Sequence, residues 1–240
     1  QPGAKRICRV EAKMPNTVPG CCELCGRQLA VSEHSLCACC FGRLLSECLS
    51  HPVVCPACGN GRILFADGIC ALCHSGEEED VDGHCLARYL EPWPRLVQAI
   101  KFGSKAPLAQ DLGRLMALCL GSPREDELVT WVPLSLRRFM LRGFNQAARL
   151  ARAYAQACGH DSVPLLRRIR ETRAQARLGA STRRHNLAGA FSVIPGAHLE
   201  GREIILVDDV VTTGATTRGC RQVLQAAGAR QVRVFSLCCG

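Results

Sequence analysis

The sequence predicts an α/β fold, a parallel sheet covered by helices, preceded by a small domain held together by cysteines. Three observations carry this expectation. A four-cysteine pattern occurs twice near the start of the chain at an offset of 33 residues. Near the other end a continuous apolar run, Ile204-Ile205-Leu206-Val207, leads into a polar loop and then an amphipathic helix. Between them strand-like and helix-like segments alternate, the order that produces parallel sheets.

Composition allows this. The chain has 240 residues, 48% hydrophobic and 21% charged, which suits one large or two smaller globular domains and excludes a disordered or fibrous protein. No apolar run approaches the ~18 residues needed to cross a bilayer. The first twenty residues interleave Lys, Arg, Glu and Pro and lack the apolar core of a secretory signal, so a cytoplasmic location is expected. Residues 1–19 are read as a disordered extension.

Residues 20–76 form the cysteine domain. Thirteen of the eighteen cysteines fall at or before Cys85, and in a reducing compartment such crowding points to metal thiolates rather than disulfides. Cys22-x-x-Cys25 and Cys37-Ala38-x-Cys40 are matched by Cys55-x-x-Cys58 and Cys70-Ala71-x-Cys73, and Gly26 is matched by Gly59. A C-x-x-C turn brings two sulfurs onto one side of a tight loop, and two turns supply the four thiolates of a tetrahedral zinc site. Two structural zinc ions are therefore expected, replacing the core that so short a segment cannot build. Complete four-thiolate sets leave no open position for catalysis. The spacing favours one site per repeat over a cross-brace without deciding between them. Cys8, Cys21, Cys39, Cys48 and Cys85 read as bystanders, and Cys119, Cys158, Cys220, Cys238 and Cys239 as small core residues.

The acidic run at 77–83 reads as a linker to a domain spanning 84–240. Charge changes sign there: residues 1–85 hold 7 Lys+Arg against 10 Asp+Glu, and residues 86–240 hold 23 against 11. From Arg137 to Arg184 there are twelve arginines and two acids, which suits a phosphorylated small molecule or nucleic acid, or else a solvated basic surface. Val129-Thr130-Trp131-Val132 reads as a strand. Ala147, Leu150, Ala151, Tyr154 and Cys158 make one helical face closed by Gly159.

The chemistry concentrates after the strand Glu203–Val207. The string Asp208-Asp209-Val210-Val211-Thr212-Thr213-Gly214-Ala215-Thr216-Thr217 opens a helix whose apolar face is Cys220, Val223, Leu224 and Ala227, with Gly228 as its cap. A loop of small residues at a helix start presents free N–H groups to phosphate. Two acids at a strand end suit vicinal hydroxyls or a water-bridged magnesium ion. Together they describe a site for a ribose 5-phosphate, against the plainer reading of a capped turn.

That string resembles the phosphoribosyl pyrophosphate (PRPP) signature of type I phosphoribosyltransferases. With the cysteine repeats ahead of it, the chain is similar to the ComF family of bacterial competence proteins, including its GntX-type members. The segment from Tyr89 to Lys101-Phe102-Gly103, Val132-Pro133-Leu134 with Arg142-Gly143-Phe144-Asn145-Gln146, and Thr172-x-x-Gln175-x-x-Leu178 with Arg183-x-x-Asn186 and Phe191 resemble further family blocks in order.

The resemblance implies a type I phosphoribosyltransferase-like domain behind a double zinc ribbon, and a mobile hood over the site near Arg183. It implies magnesium-bound PRPP at Asp208, Asp209, Val210, Thr212, Thr213, Gly214, Ala215, Thr216 and Thr217. Arg137, Arg138, Arg142 and Arg183 would meet pyrophosphate or DNA phosphate. It also implies the handling of internalised single-stranded DNA in natural transformation. Phe139, Phe144 and Phe191 are candidate stacking platforms, and PRPP is expected to displace an oligonucleotide from a shared site. Two alternatives stay open: an active transferase with an unknown acceptor, for which Asp208 and Asp209 would be catalytic, and a scaffold whose ribbons dock a helicase or DNA-loading partner.

Overall fold

The computed structural model describes residues 20–30, 32–57, 64, 68–70, 73, 83–102, 106–170 and 189–240. A four-stranded parallel sheet organises them, in the order β1-β6-β5-β2: β1 is Gly83–Arg88, β6 Gln231–Cys239, β5 Glu203–Val211 and β2 Leu128–Trp131. The parallel α/β expectation therefore holds. Strand β1 begins on the glycine that closes the acidic run.

The apolar run in β5 is continuous because both faces of the sheet are covered. Alternate residues divide between two cores. Ile205 and Val207 join Phe235 and Leu237 of β6 on one face, and Ile204 and Leu206 join Val232 and Val234 on the other. The first face is covered by α2 (Trp93–Phe102), α3 (Ala106–Leu120) and α5 (Gln146–Ala157). Helices α3 and α5 press together at Gly113, where a Cβ would come within 2.5 Å of that of Ala153. The second face is covered by α6 (Ala215–Ala226), through Cys220 and Leu224, and by an antiparallel pair, β3 (Leu166–Arg168) with β4 (Phe191–Val193).

The cysteine segment packs onto this body. Helix α1 (Ala38–Ser50) is capped by the thiol of Cys37, which accepts from the N–H of Cys40. Cys22, Leu36, Leu44 and Cys48 share the first core with α2 and α3, while Cys55, Leu64 and Cys70 share the second. One carboxylate fixes the first contact. Asp111 of α3 is 2% exposed and accepts from Ser35 N–H at 2.9 Å and Leu36 N–H at 2.8 Å, and His34 Nδ1 lies 3.2 Å from its other oxygen. Such a buried charge is stable only because the donors are there.

One sequence reading needs correcting. Strand β5 does not end at Val207 but continues to Val211, so Asp208 and Asp209 sit within a strand and Asp209 is buried. Its pairing with β6 continues through Val211↔Cys239, which keeps the backbone extended. Cys85 and Cys239 stay outside the cysteine clusters and are both buried, facing each other between β1 and β6 with Cα atoms 6.1 Å apart.

Candidate functional site

Cysteines gather repeat by repeat. The sulfurs of Cys22, Cys25, Cys37 and Cys40 lie within 4.8 Å of one another, and so do those of Cys55, Cys70 and Cys73; Cys58 lies outside the described residues. The pairs therefore group within each repeat rather than across the two. Cys25 Sγ and Cys37 Sγ are 3.8 Å apart, close to the ~3.8 Å edge of a tetrahedron with zinc–sulfur bonds of about 2.3 Å. Cys37 N–H lies 3.4 Å from Cys22 Sγ, and Cys70 N–H lies 3.4 Å from Cys55 Sγ, the same bond one repeat later. The N–H of Cys40, above all, lowers the Cys37 thiol to about 6, which favours the thiolate that a metal binds. These donor sets fit zinc.

At the carboxyl end of β5 the chain turns through Thr212 and Thr213 into α6. Gly214 is the N-cap with φ of 67°, and no side chain caps the helix. The Asp and Thr side chains thus leave the first N–H groups of α6 free, contrary to the capped-turn reading. A small cavity of about 50 Å³ is lined by Asp208, Val210, Val211 and the run Thr212, Thr213, Gly214, Ala215, Thr216 and Thr217. Thr217 is turned away from it as a donor, its hydroxyl donating to Gly214 O at 2.9 Å.

The two acids differ. Asp208 accepts from the N–H of Asp209 at 2.9 Å, and burial, followed by the neighbouring Asp209 charge, holds its carboxyl well above the usual carboxylate range. Asp209 is enclosed. Lys101 Nζ, at the end of α2, lies 2.7 Å from its Oδ2 as a charge pair without hydrogen-bond alignment, and Gln146 Nε2 lies 3.3 Å from its Oδ1. Arg142 in turn donates to Gln146 Oε1 at 2.9 Å, so a chain of polar contacts runs from the arginine to the acid.

Arg142 ends α4 (Leu136–Arg142), a short helix capped by Ser135 and closed by Gly143 at φ 75°. Its guanidinium is lowered by burial and by Arg138, and raised by Asp209. Arg142 therefore stands by the acids, with Arg138 near it, while Arg137 is exposed on the same helix. The structure does not bring all the sequence candidates together. Arg183, Asn186, Thr172, Gln175 and Leu178 lie outside the described residues. Phe191 is 3% exposed and belongs to the second core, whereas Phe139 is 45% exposed.

Sequence reasoning assigned no role to Lys101 or Gln146. Gln146 stands in the R-G-F-N-Q block, where a polar residue at a helix start, just after the capping Asn145, signals a side chain with another duty. Lys101 carries no comparable local signal. Its pairing with Asp209 spans 108 positions and arises only in the folded chain.

The described residues thus make a parallel α/β domain whose inner strand carries two acids to an uncapped, small-residue helix start, with two cysteine clusters packed on it. Over 234 residues the chain is 35% identical to the DNA utilization protein YhgH of Salmonella typhi, covering 92% of this chain and 98% of that protein. It is 33% identical to YhgH of Escherichia coli K12, with the same coverage, and 28% identical to competence protein F of Haemophilus influenzae, over 90% and 95% of the two chains. The chain belongs to this ComF/YhgH family.

No family profile matches the chain. Among solved structures, the allosteric regulatory enzyme of purine biosynthesis is 21% identical, with a TM-score of 0.40 over 67% of this chain and 31% of that one. A hypoxanthine phosphoribosyltransferase from Staphylococcus aureus reaches 0.32 at 13% identity, over 59% and 61%. Among the described residues no helix is long and apolar enough to cross a membrane.

Proposed function

We propose that the chain is a cytoplasmic DNA-handling protein that binds single-stranded DNA and keeps a working site for magnesium-bound PRPP, with two zinc ions holding its cysteine clusters. The observation that carries the PRPP reading is the uncapped start of α6 beside the Asp208–Asp209 pair. Free N–H groups between Thr212 and Thr217 hold the 5-phosphate. Asp208 lines the cavity where the ribose hydroxyls would lie, and the charge of Asp209 behind it would also favour a cationic ribose if transfer occurred. Arg142, which bonds Gln146, and Arg138 beside it would meet the pyrophosphate, with Lys101 and Gln146 fixing Asp209. Magnesium, when bound, neutralises pyrophosphate charge.

The DNA reading is supported by the names of the relatives, which concern DNA utilization and competence, and by the basic stretch that begins at Arg137. Calorimetry with PRPP and magnesium, beside a single-stranded oligonucleotide, tests both halves. Saturable heats with each ligand are expected. Absence of PRPP heat removes the retained site, and absence of oligonucleotide heat at low salt removes the DNA reading. A transferase would in addition release pyrophosphate once its acceptor is supplied.

A further inference from the structure

The site just described leaves a second concavity unused. A groove of about 690 Å³ runs between the end of β2, the start of α5 and β3, and it shares no lining residue with the cavity at the start of α6. Strand β2 is an edge of the parallel sheet, so this groove opens along the flank of the domain.

Its walls combine flat rings with guanidinium groups. Arg149 lies over the Phe144 ring at 3.6 Å from its centroid, and Arg152, one turn further along α5, lies over Trp131 at 5.4 Å. Arg167 and Arg168 of β3 line the opposite side. None of the lining residues is acidic, and neither Arg149 nor Arg152 forms an ion pair among the described residues.

Arg149 and Arg152, in a groove with no acidic lining residue, draw a polyanion into it. Rings and guanidinium planes offer stacking faces to unpaired bases, which a duplex hides within its own stack. Charge and stacking together select a single strand. We infer that this groove binds single-stranded DNA, with bases stacked at Trp131 and Phe144 and phosphates met by Arg149 and Arg152, at a place separate from the PRPP site. The inference rests on the DNA-handling reading and locates it. It departs from the sequence expectation of one shared site, since Arg142 stands by the acids while Arg149 and Arg152 face the groove.

The chain has two tryptophans and Trp93 is 1% exposed, so Trp131 alone reports on the groove. A short oligothymidylate titrated into the full chain at several salt concentrations should quench Trp131 emission, and saturating PRPP with magnesium should leave the quench in place. Trp131→Leu should weaken binding, followed by anisotropy, about tenfold. Arg149→Ala with Arg152→Ala should lower the log–log salt slope by about 1.4, at roughly 0.7 per phosphate contact.

Unchanged affinity and slope in both variants, with the parent chain still binding, would place the DNA elsewhere and overturn the groove while leaving the DNA-handling reading intact. Displacement of the oligonucleotide by PRPP would overturn the separation of sites. A duplex bound as tightly as the single strand would overturn stacking. No binding by the parent chain at low salt would overturn the inference and the reading beneath it together. The quench is measured on the unsubstituted chain, so misfolding of a variant cannot hide the answer.

Discussion

Asp208 carries a cost to the folded chain. Its carboxyl is held above the usual range in the folded chain, so the folded state keeps its proton over a pH interval in which the unfolded chain has released it. Stability from this group is therefore present at low pH and is lost as pH rises through the raised value. Asp208→Asn removes that loss. Its melting temperature should exceed the parent's at pH 7 to 8 and converge with it near pH 4, as read by calorimetric scans. Lys101 acts in the other direction: Lys101→Met leaves Asp209 buried beside Gln146 alone and should cost about 1–3 kcal/mol in urea unfolding, with Lys101→Arg recovering part of it. Neither effect is visible in the sequence, where Lys101 and Asp209 are 108 positions apart.

Elements show how far local pattern reaches. The helix face Ala147 to Cys158, the strand at Val129 and the helix after Gly214 were legible because each is signalled by periodicity and by a cap or glycine within a few residues. The end of β5 was not, since Asp208 and Asp209 look like loop residues until β6 pairs alongside them. The cysteine repeat was legible as ligand spacing, and the recurrence of its N–H to sulfur bond at the same offset is the structural form of that spacing. Elemental analysis of protein purified without chelator should return two zinc ions per chain, and one or none would count against the duplicated site.

What spacing could not reveal is the anchor at Asp111, whose partners lie 75 and 76 positions away. Asp111→Ala strands the Ser35 and Leu36 N–H groups. It should cost about 3–6 kcal/mol, taking about 1.5–3 kcal/mol for each of the two lost bonds to a charge. Zinc should also leave the first cluster faster when challenged with a chelator, and an unchanged release rate would mean that the cluster holds itself without α3.

At the scale of the molecule, the acidic stretch suggests a separable cysteine domain, so Cys55→Ser would be expected to leave the rest of the chain untouched. Packing argues otherwise. Cys55 and Cys70 are both fully buried and share a core with Ile204 and Leu206, so loss of the second cluster should also be felt by the sheet. Linkers are read from composition, whereas docking depends on which faces the fold leaves apolar, and that is decided only when both parts are built. The candidate site follows the same division. Its loop at the start of α6 was legible as a contiguous string, while its surroundings, Lys101, Gln146 and the groove at Trp131, are assembled from distant segments.

The proposed function turns on whether the acid pair and the start of α6 form a working PRPP site. Calorimetric titration of PRPP with magnesium into the parent chain and into the Asp208→Asn, Asp209→Asn double variant tests this most directly, with far-ultraviolet circular dichroism confirming that the variant remains folded. Saturable, magnesium-dependent binding by the parent and none by the folded double variant is the predicted result. Equal affinity in the two proteins would contradict it and reduce the signature string to an ordinary turn between a strand and a helix.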